Sequence, residues 1–304
     1  MTSNRVTLAS MFRAGAAAVT RYTGTLFAVF LLQSIVALGA MISMAVVLAQ
    51  AFSQLPLWDD AVDGDLVALA AALRFASANV LACVGIGSVA ILLWQITSWF
   101  LAGGIYGVLV QRPEGRSETA RCFGACGAST YLAYARLALF SLPSWIGVAL
   151  VFATCTNAVS GRAAQALTLA ELVGPLALSV LPPLALAQLL WTVADYTRVE
   201  LSLQPDQEYH VLASYAHSFL FVLRTPLTWI HASLGNLGLV AITAAYAILA
   251  SGHPMFGTLG AIALFTIRQG VSLARTAVRF GILAGQIELG QGRALRRAPD
   301  EPAR

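Results

Sequence analysis

The stretch LLWTVADYTRVELSL, residues 189 to 203, places Asp195, Arg198 and Glu200 within two helical turns. The preceding VGPLALSVLPPLALAQ, residues 173 to 188, carries no charge. Asp195 and Arg198 are three apart, so they are neighbours on a helix surface. Such a pair can anchor a helix end where lipid gives way to water, or it can meet a polar ligand there. Both readings stay open on the sequence.

A second group lies in ALFTIRQGVSLARTAVRF, residues 263 to 280, where Arg268, Arg275 and Arg279 are spaced seven and four apart and share one helix stripe. If that helix starts near Phe256, Arg268 lies roughly 18 Å along it, at 1.5 Å rise per residue. An arginine at mid-bilayer costs about 2.5–3.5 kcal/mol on insertion scales. Arg268 is therefore expected to face other helices, with Gln95, Gln188, Asp195 or backbone carbonyls as partners. There it either meets an anionic substrate or lipid phosphate, or is a structural arginine. Consecutive Pro182 and Pro183, with Pro175 ahead of them, remove backbone donors and are expected to kink their helix. A helix broken at mid-depth would suit a transport site.

Gly103 with Gly107, and Gly281 with Gly285, form two G-x-x-x-G motifs near helix ends. Small residues four apart let lipid-embedded helices approach closely, so these are expected to pack helices. The alternative is a homodimer seam.

No catalytic residue, metal or cofactor is expected. G-x-S-x-G, H-E-x-x-H and G-x-x-x-x-G-K-[ST] do not occur. Cys83 and Cys155 sit in apolar runs, Cys122 and Cys126 have no histidine nearby, and His210, His217, His231 and His253 do not cluster at ligand spacing. The acidic DDAVDGD run, 59 to 65, reads as a solvated loop.

The elements that must hold these residues follow from composition. Hydrophobic residues make up 58% of the 304 and charged ones only 11%, with mean hydropathy +0.76. A soluble domain carries about 25% charged residues, so this chain must use lipid as solvent. Six segments are apolar and long enough to span: 24–52, 79–110, 131–156, 173–199, 226–250 and 256–284. The AQA at 49–51 ends a stretch too long for a leader, which makes it part of the first span. All 18 basic residues are arginine. Fourteen fall at the N-terminus, the even-numbered turns and the C-terminus; Arg74 and Arg162 lie on the opposite side, and Arg268 and Arg275 fall within the sixth segment. By the positive-inside rule both termini are cytoplasmic. The formal charge of +4 needs no nucleic acid, because arginine beside spans accounts for it.

MFRAGAAAVTR (11–21), CGASTYLAYAR (126–136) and SYAHSFLFVLR (214–224) each enter an odd-numbered span and end in arginine: Arg21, Arg136 and Arg224. This suggests three copies of a short interfacial helix followed by a helical hairpin, with the arginines at the phosphates. The expected fold is an all-α six-span transmembrane bundle over 1–290. Residues 291–304 are expected to be a disordered basic tail.

WFLAGGIYGVLVQ, RCFGACGASTYLAYARLALF, VADYTRVELSL and SFLFVLRTPLTW together resemble a loose group of bacterial six-helix membrane proteins. The group includes uncharacterised families and is similar to the membrane domain attached to some glycerophosphodiester phosphodiesterases and to the YciC-like envelope proteins. The resemblance spans roughly 10 to 290 and carries no catalytic role; the phosphodiesterase domain itself has no counterpart here. The repeated interfacial arginine helices and the lack of any catalytic constellation point to a non-enzymatic multi-pass protein of the bacterial inner membrane with an envelope or lipid-related organising role. Its expected partners are membrane lipids, anionic phospholipid among them, and a protein partner that the sequence does not identify. The alternative is a transporter or channel for a small anionic solute or lipid.

Overall fold

The computed structural model describes residues 6–52, 71, 74, 77–165, 168–203, 210–252 and 258–297. The acidic loop 59–65 and residues 298–304 of the expected tail lie outside the described residues. Among the described residues there are nine helices and no strand: α1 Leu8–Arg21, α2 Thr23–Phe52, α3 Ser77–Gln111, α4 Arg116–Ser129, α5 Tyr131–Gln165, α6 Leu169–Leu203, α7 Val211–Arg224, α8 Pro226–Gly252 and α9 Thr258–Arg297.

Their lengths repeat. α1, α4 and α7 each have 14 residues. Each is separated by a single residue (Tyr22, Thr130 or Thr225) from a long helix, and a second long helix follows. Local chemistry sets the boundaries. Thr7 caps α1: its hydroxyl accepts from the Ser10 amide at 3.2 Å, while the Thr7 amide donates to Ser10 Oγ at 3.0 Å. Gly115, at φ +85°, turns the chain into α4. Pro226 has no N–H to continue α7 and instead opens α8, where the Thr228 hydroxyl donates to the Thr225 carbonyl at 2.7 Å.

The second short helix lies upstream of its expected place. α4 ends at Ser129, so Arg136 falls inside α5 and does not end an interfacial helix as Arg21 and Arg224 do. The signals for the true start are Gly115 after Pro113, then Glu118 in the first turn, where a carboxylate favours a helix N-terminus.

Two compact units divide the chain. One comprises Phe27–Leu101, with most of α2 and most of α3. Within it Asn79 Nδ2 donates to the Val47 carbonyl at 3.5 Å and the Cys83 thiol lies 3.9 Å from that of Met44. The other unit comprises Met1–Leu26 and Ala102–Arg304.

Inside this second unit one rule recurs: the long helix that closes a copy packs on the short helix that opens the next. The C-terminal end of α3 meets α4, where Gly103, Gly104 and Gly107 lie against Thr130, Phe123 and Cys126. α6 packs on α7 around buried Val193, Tyr196 and Val222, with Phe219 and Trp229 at the edge. α9 returns to α1, where a Cβ on Gly15 would lie 2.6 Å from the Gly281 carbonyl oxygen. Gly285 sits under His231, whose imidazole Nε2 would be 2.6 Å from an added Cβ. Both G-x-x-x-G motifs therefore pack helices within the chain, against the short helices.

Five helices are long and apolar enough to cross a membrane, covering Thr23–Val47, Ala78–Gln111, Tyr131–Arg162, Ala170–Leu203 and Pro226–Ala250. Their large apolar side chains point outward: Leu81 is 72% exposed and Ile248 73%. Surfaces that apolar are not left to water. The sixth expected segment, 256–284, falls largely in α9, where Arg268, Arg275 and Arg279 set it apart from the other five. α9 also runs on to Arg297, so residues 291–297 are helical and not the start of an unstructured tail. α6 continues unbroken through Pro175, Pro182 and Pro183, with Pro183 buried.

Candidate functional site

Asp195 is 1% exposed and gathers donors from three helices. Arg279 Nη2 of α9 donates to both carboxylate oxygens, at 2.7 and 2.6 Å. Arg198 Nη1, one turn along α6, donates at 3.4 Å. The Tyr106 hydroxyl of α3 and the Gln286 amide of α9 each donate at 3.4 Å. Apolar and aromatic walls close the group. Arg279 lies 5.5 Å from the centre of the Trp191 ring, and Tyr106 meets Tyr134 of α5 edge to face at 6.2 Å. Tyr134 exchanges a 2.7 Å hydrogen bond with Ser202 and donates to the Arg198 carbonyl at 3.2 Å.

Two guanidiniums thus surround one carboxylate away from water, and the carboxylate lone pairs are engaged. Its work is to join α6 to α9 and, through the tyrosines, to α3 and α5.

The sequence pairs Asp195 with Arg198, and they do pair. It does not assign Arg279, Gln286, Tyr106 or Tyr134 to this cluster. Arg279 had a signal: it lies on the stripe with Arg268 and Arg275, and it is the member of that stripe nearest the buried end of the helix. Arg268 and Arg275 are exposed, contrary to the expectation that Arg268 faces the bundle. The reason is packing: α9 is buried around Phe280, Ile282, Leu283 and Ile287, beyond both residues. Gln188 is taken by the Asn236 amide at 2.6 Å, not by Arg268. Arg136 and Arg224 are exposed on α5 and α7 and lie outside the cluster.

A second constellation was not read from the sequence at all. A cavity of about 350 Å³ lies between α1, the C-terminal end of α3 and α9. Arg13, Arg21 and Arg112 line it beside Glu288, and Tyr22, Leu109 and Ile287 complete its walls. Arg112 holds a left-handed backbone at φ +53° and reaches Glu288 at 3.2 Å. A larger concavity of about 710 Å³ between α3 and α4 balances Glu114 and Glu118 against Arg116 and Arg121 and so favours neither sign of charge. At its edge, burial and then the neighbouring Cys126 push the Cys122 thiol up to about 11.

No metal-ligating group of three or more His, Cys, Asp or Glu side chains occurs among the described residues. What the helices define is an all-helical protein compatible with a multi-pass membrane protein. Comparison with protein-family models, with curated proteins and with solved structures finds no match.

Proposed function

We propose that this chain is a non-enzymatic, six-span protein of the bacterial inner membrane, with both termini cytoplasmic, that organises anionic lipid at the cytoplasmic face. One observation carries the reading: Arg21 and Arg224 each end a 14-residue helix one residue before a long apolar helix begins at Thr23 or Pro226. A guanidinium at that position lies at the depth of the phosphates when the apolar helix enters lipid. The first half of α9 serves as the sixth span, a role supported by exposed Ile262 and Phe265. A structural role for Asp195 is supported by its burial between two arginines. Membership of the six-helix envelope group remains part of this proposal and rests on the motifs quoted above. The transporter alternative loses its main support, because Arg268 is on the outer face of α9 and α6 is not broken at its prolines.

The test is native mass spectrometry of the full chain released from mixed phosphatidylglycerol and phosphatidylcholine vesicles. Selective retention of phosphatidylglycerol, reduced by Arg224→Ala, is expected. Equal retention of both lipids would sink the reading. Reporter fusions at the two ends should both register as cytoplasmic.

A further inference from the structure

The cavity between α1, α3 and α9 has the composition of an anion site. Ser10, Arg13, Ala14, Ala17, Ala18 and Arg21 form one stripe of α1 along its wall, spaced by three and four. The three alanines leave the room, and the two arginines flank it. From the end of α3, Arg112 closes a third side. Three guanidiniums against the single carboxylate of Glu288 leave an excess of two positive charges.

The donors are only partly engaged. Among the described residues Arg21 uses Nη2 alone, on the Arg112 carbonyl at 3.3 Å, the Pro113 carbonyl at 3.5 Å and Glu114 at 3.8 Å. Arg112 likewise uses Nη2, on Glu288 and on Gln291 at 3.4 Å. Arg13 has no ion pair or hydrogen bond among the described residues. Tyr22 is 6% exposed and lines the same cavity, and its buried hydroxyl has no hydrogen-bond partner among the described residues. Burial raises the pKa of that hydroxyl even though Arg21 and Arg112 pull it down, so it stays a donor at neutral pH. The ring of Tyr22 in turn sits 5.5 Å from the Arg21 guanidinium and holds it in place.

Arg112 adds an independent sign. A β-carbon in the left-handed region is strained, and glycine is the residue that normally ends a helix there. Strain of this kind concentrates where a side chain must be aimed. Here it turns a guanidinium toward the cavity at the point where α3 stops.

We propose that this cavity binds a phosphate-bearing group, with Arg13, Arg21 and Arg112 on its oxygens and the Tyr22 hydroxyl as a further donor. Three forked donors suit a tetrahedral anion of several oxygens, where a lone carboxylate would need one. Leu109, Ala284 and Ile287 supply an apolar side for a carbon stem. Two span ends, Thr23 of α2 and Gln111 of α3, adjoin the site, which suits a lipid headgroup. A free phosphate or phosphate monoester shares the chemistry. The headgroup source rests on the lipid reading above.

The full chain in mild detergent separates the two sources. Retention of phosphatidylglycerol over phosphatidylcholine is read by native mass spectrometry, and inorganic phosphate and glycerol phosphate are titrated by thermal shift. Arg13→Gln and Arg112→Gly are each expected to weaken the bound ligand about tenfold, the weight of one charge-assisted hydrogen bond, and Tyr22→Phe about threefold. Arg162→Gln, exposed at the far end of α5 and outside the cavity, is the control and leaves binding unchanged. Glycine accepts the φ of residue 112, so that variant removes the guanidinium without forcing the turn. Lipid loss in the cavity variants supports the headgroup source. Phosphate binding lost in those variants, with no lipid retained, supports the site while ending the lipid reading. Lipid lost only through Arg224→Ala overturns the cavity site and leaves the lipid reading standing; binding of neither overturns both.

Discussion

Asp195 and Arg279 are 84 residues apart in the chain, yet a single guanidinium nitrogen of Arg279 bridges both oxygens of the Asp195 carboxylate, at 2.6 and 2.7 Å. The carboxylate is 1% exposed, so the contact ties α6 to α9 where water does not compete. Taking one partner from a buried pair leaves the other charge unanswered, which is worse than having neither. Asp195→Ala should destabilise the chain by about 3–5 kcal/mol in thermal or denaturant unfolding in detergent, because Arg198 and Arg279 then face each other without a counter-charge. Combining Asp195→Leu with Arg279→Met should cost less than the two single losses added together, by about 0.5–3 kcal/mol in a double-mutant cycle. Simple additivity would mean the pair contributes nothing as a pair.

Close approach of α1 and α9 depends on glycine at position 15. A β-carbon there would stand 2.6 Å from the Gly281 carbonyl oxygen, and backbone cannot step aside as a side chain can. Gly15→Ala is expected to destabilise by about 1–3 kcal/mol, the usual cost of overpacking. Gly124 in α4 is the contrast, with nothing within 4 Å of an added Cβ. Gly124→Ala should stabilise by about 0.5–1 kcal/mol, as helix-interior glycines replaced by alanine do. Parallel melting curves of the two variants check both signs.

The Cys122 thiol, held up near 11 by burial and by Cys126, has a defined pH signature. An ordinary thiol ionises near 9. Between those values the unfolded chain loses its proton and the folded one keeps it, so whatever stability this group contributes is present below pH 9 and declines up to about 11. Alkylation by iodoacetamide follows thiolate. Its rate at Cys122, read by peptide mass spectrometry, should still be rising at pH 9 and reach half its maximum only near 11, whereas unfolded protein reaches half-maximum about two units earlier. A half-maximal rate near pH 9 in the folded protein would contradict the assignment.

Much of the fold is legible in the chain because its strongest signal is one-dimensional. Lipid-length apolar runs, the arginines at 21 and 224, and the recurring short helix before each pair of long ones are all local patterns. The second short helix lies upstream of where the sequence points, because Arg136 mimics the terminal arginine of the others while the boundary lies at Ser129–Thr130. Buried partnerships are different in kind. Asp195 finds Arg279 and not Arg268 because α9 is covered only beyond Phe280, a fact about neighbouring helices that no stripe within α9 encodes. The arginine cavity likewise requires the end of α3 to meet α1 and α9, and its three arginines are separated by 8 and 91 positions.

Arg268 offers a test of where each half of α9 lies. It is exposed and makes no ion pair or hydrogen bond among the described residues. Replacing it with leucine therefore removes no contact, and folded-state stability in detergent should change by less than about 0.5 kcal/mol, as surface substitutions do. Insertion is another matter. If the first half of α9 crosses lipid, Arg268→Leu should favour its insertion by about 3 kcal/mol in a glycosylation-based assay of the isolated segment. No change in insertion would place this part of α9 outside the bilayer and reduce the number of spans to five.

Arg112 decides whether the strained end of α3 serves the fold or the cavity. Its left-handed conformation costs roughly 1–2 kcal/mol relative to glycine. In return the side chain makes a 3.2 Å ion pair with Glu288 in which both partners are more than one-third exposed. Exposed pairs contribute about 0–1 kcal/mol, less than the strain. Arg112→Gly is therefore expected to melt at or slightly above the temperature of the unaltered chain, while Arg112→Ala, which loses the ion pair and keeps the β-carbon, should melt below it. That ordering would show arginine to be retained against the preference of the backbone, for something its guanidinium does in the cavity. Should glycine instead melt well below alanine, the side chain is there to hold α3 to α9.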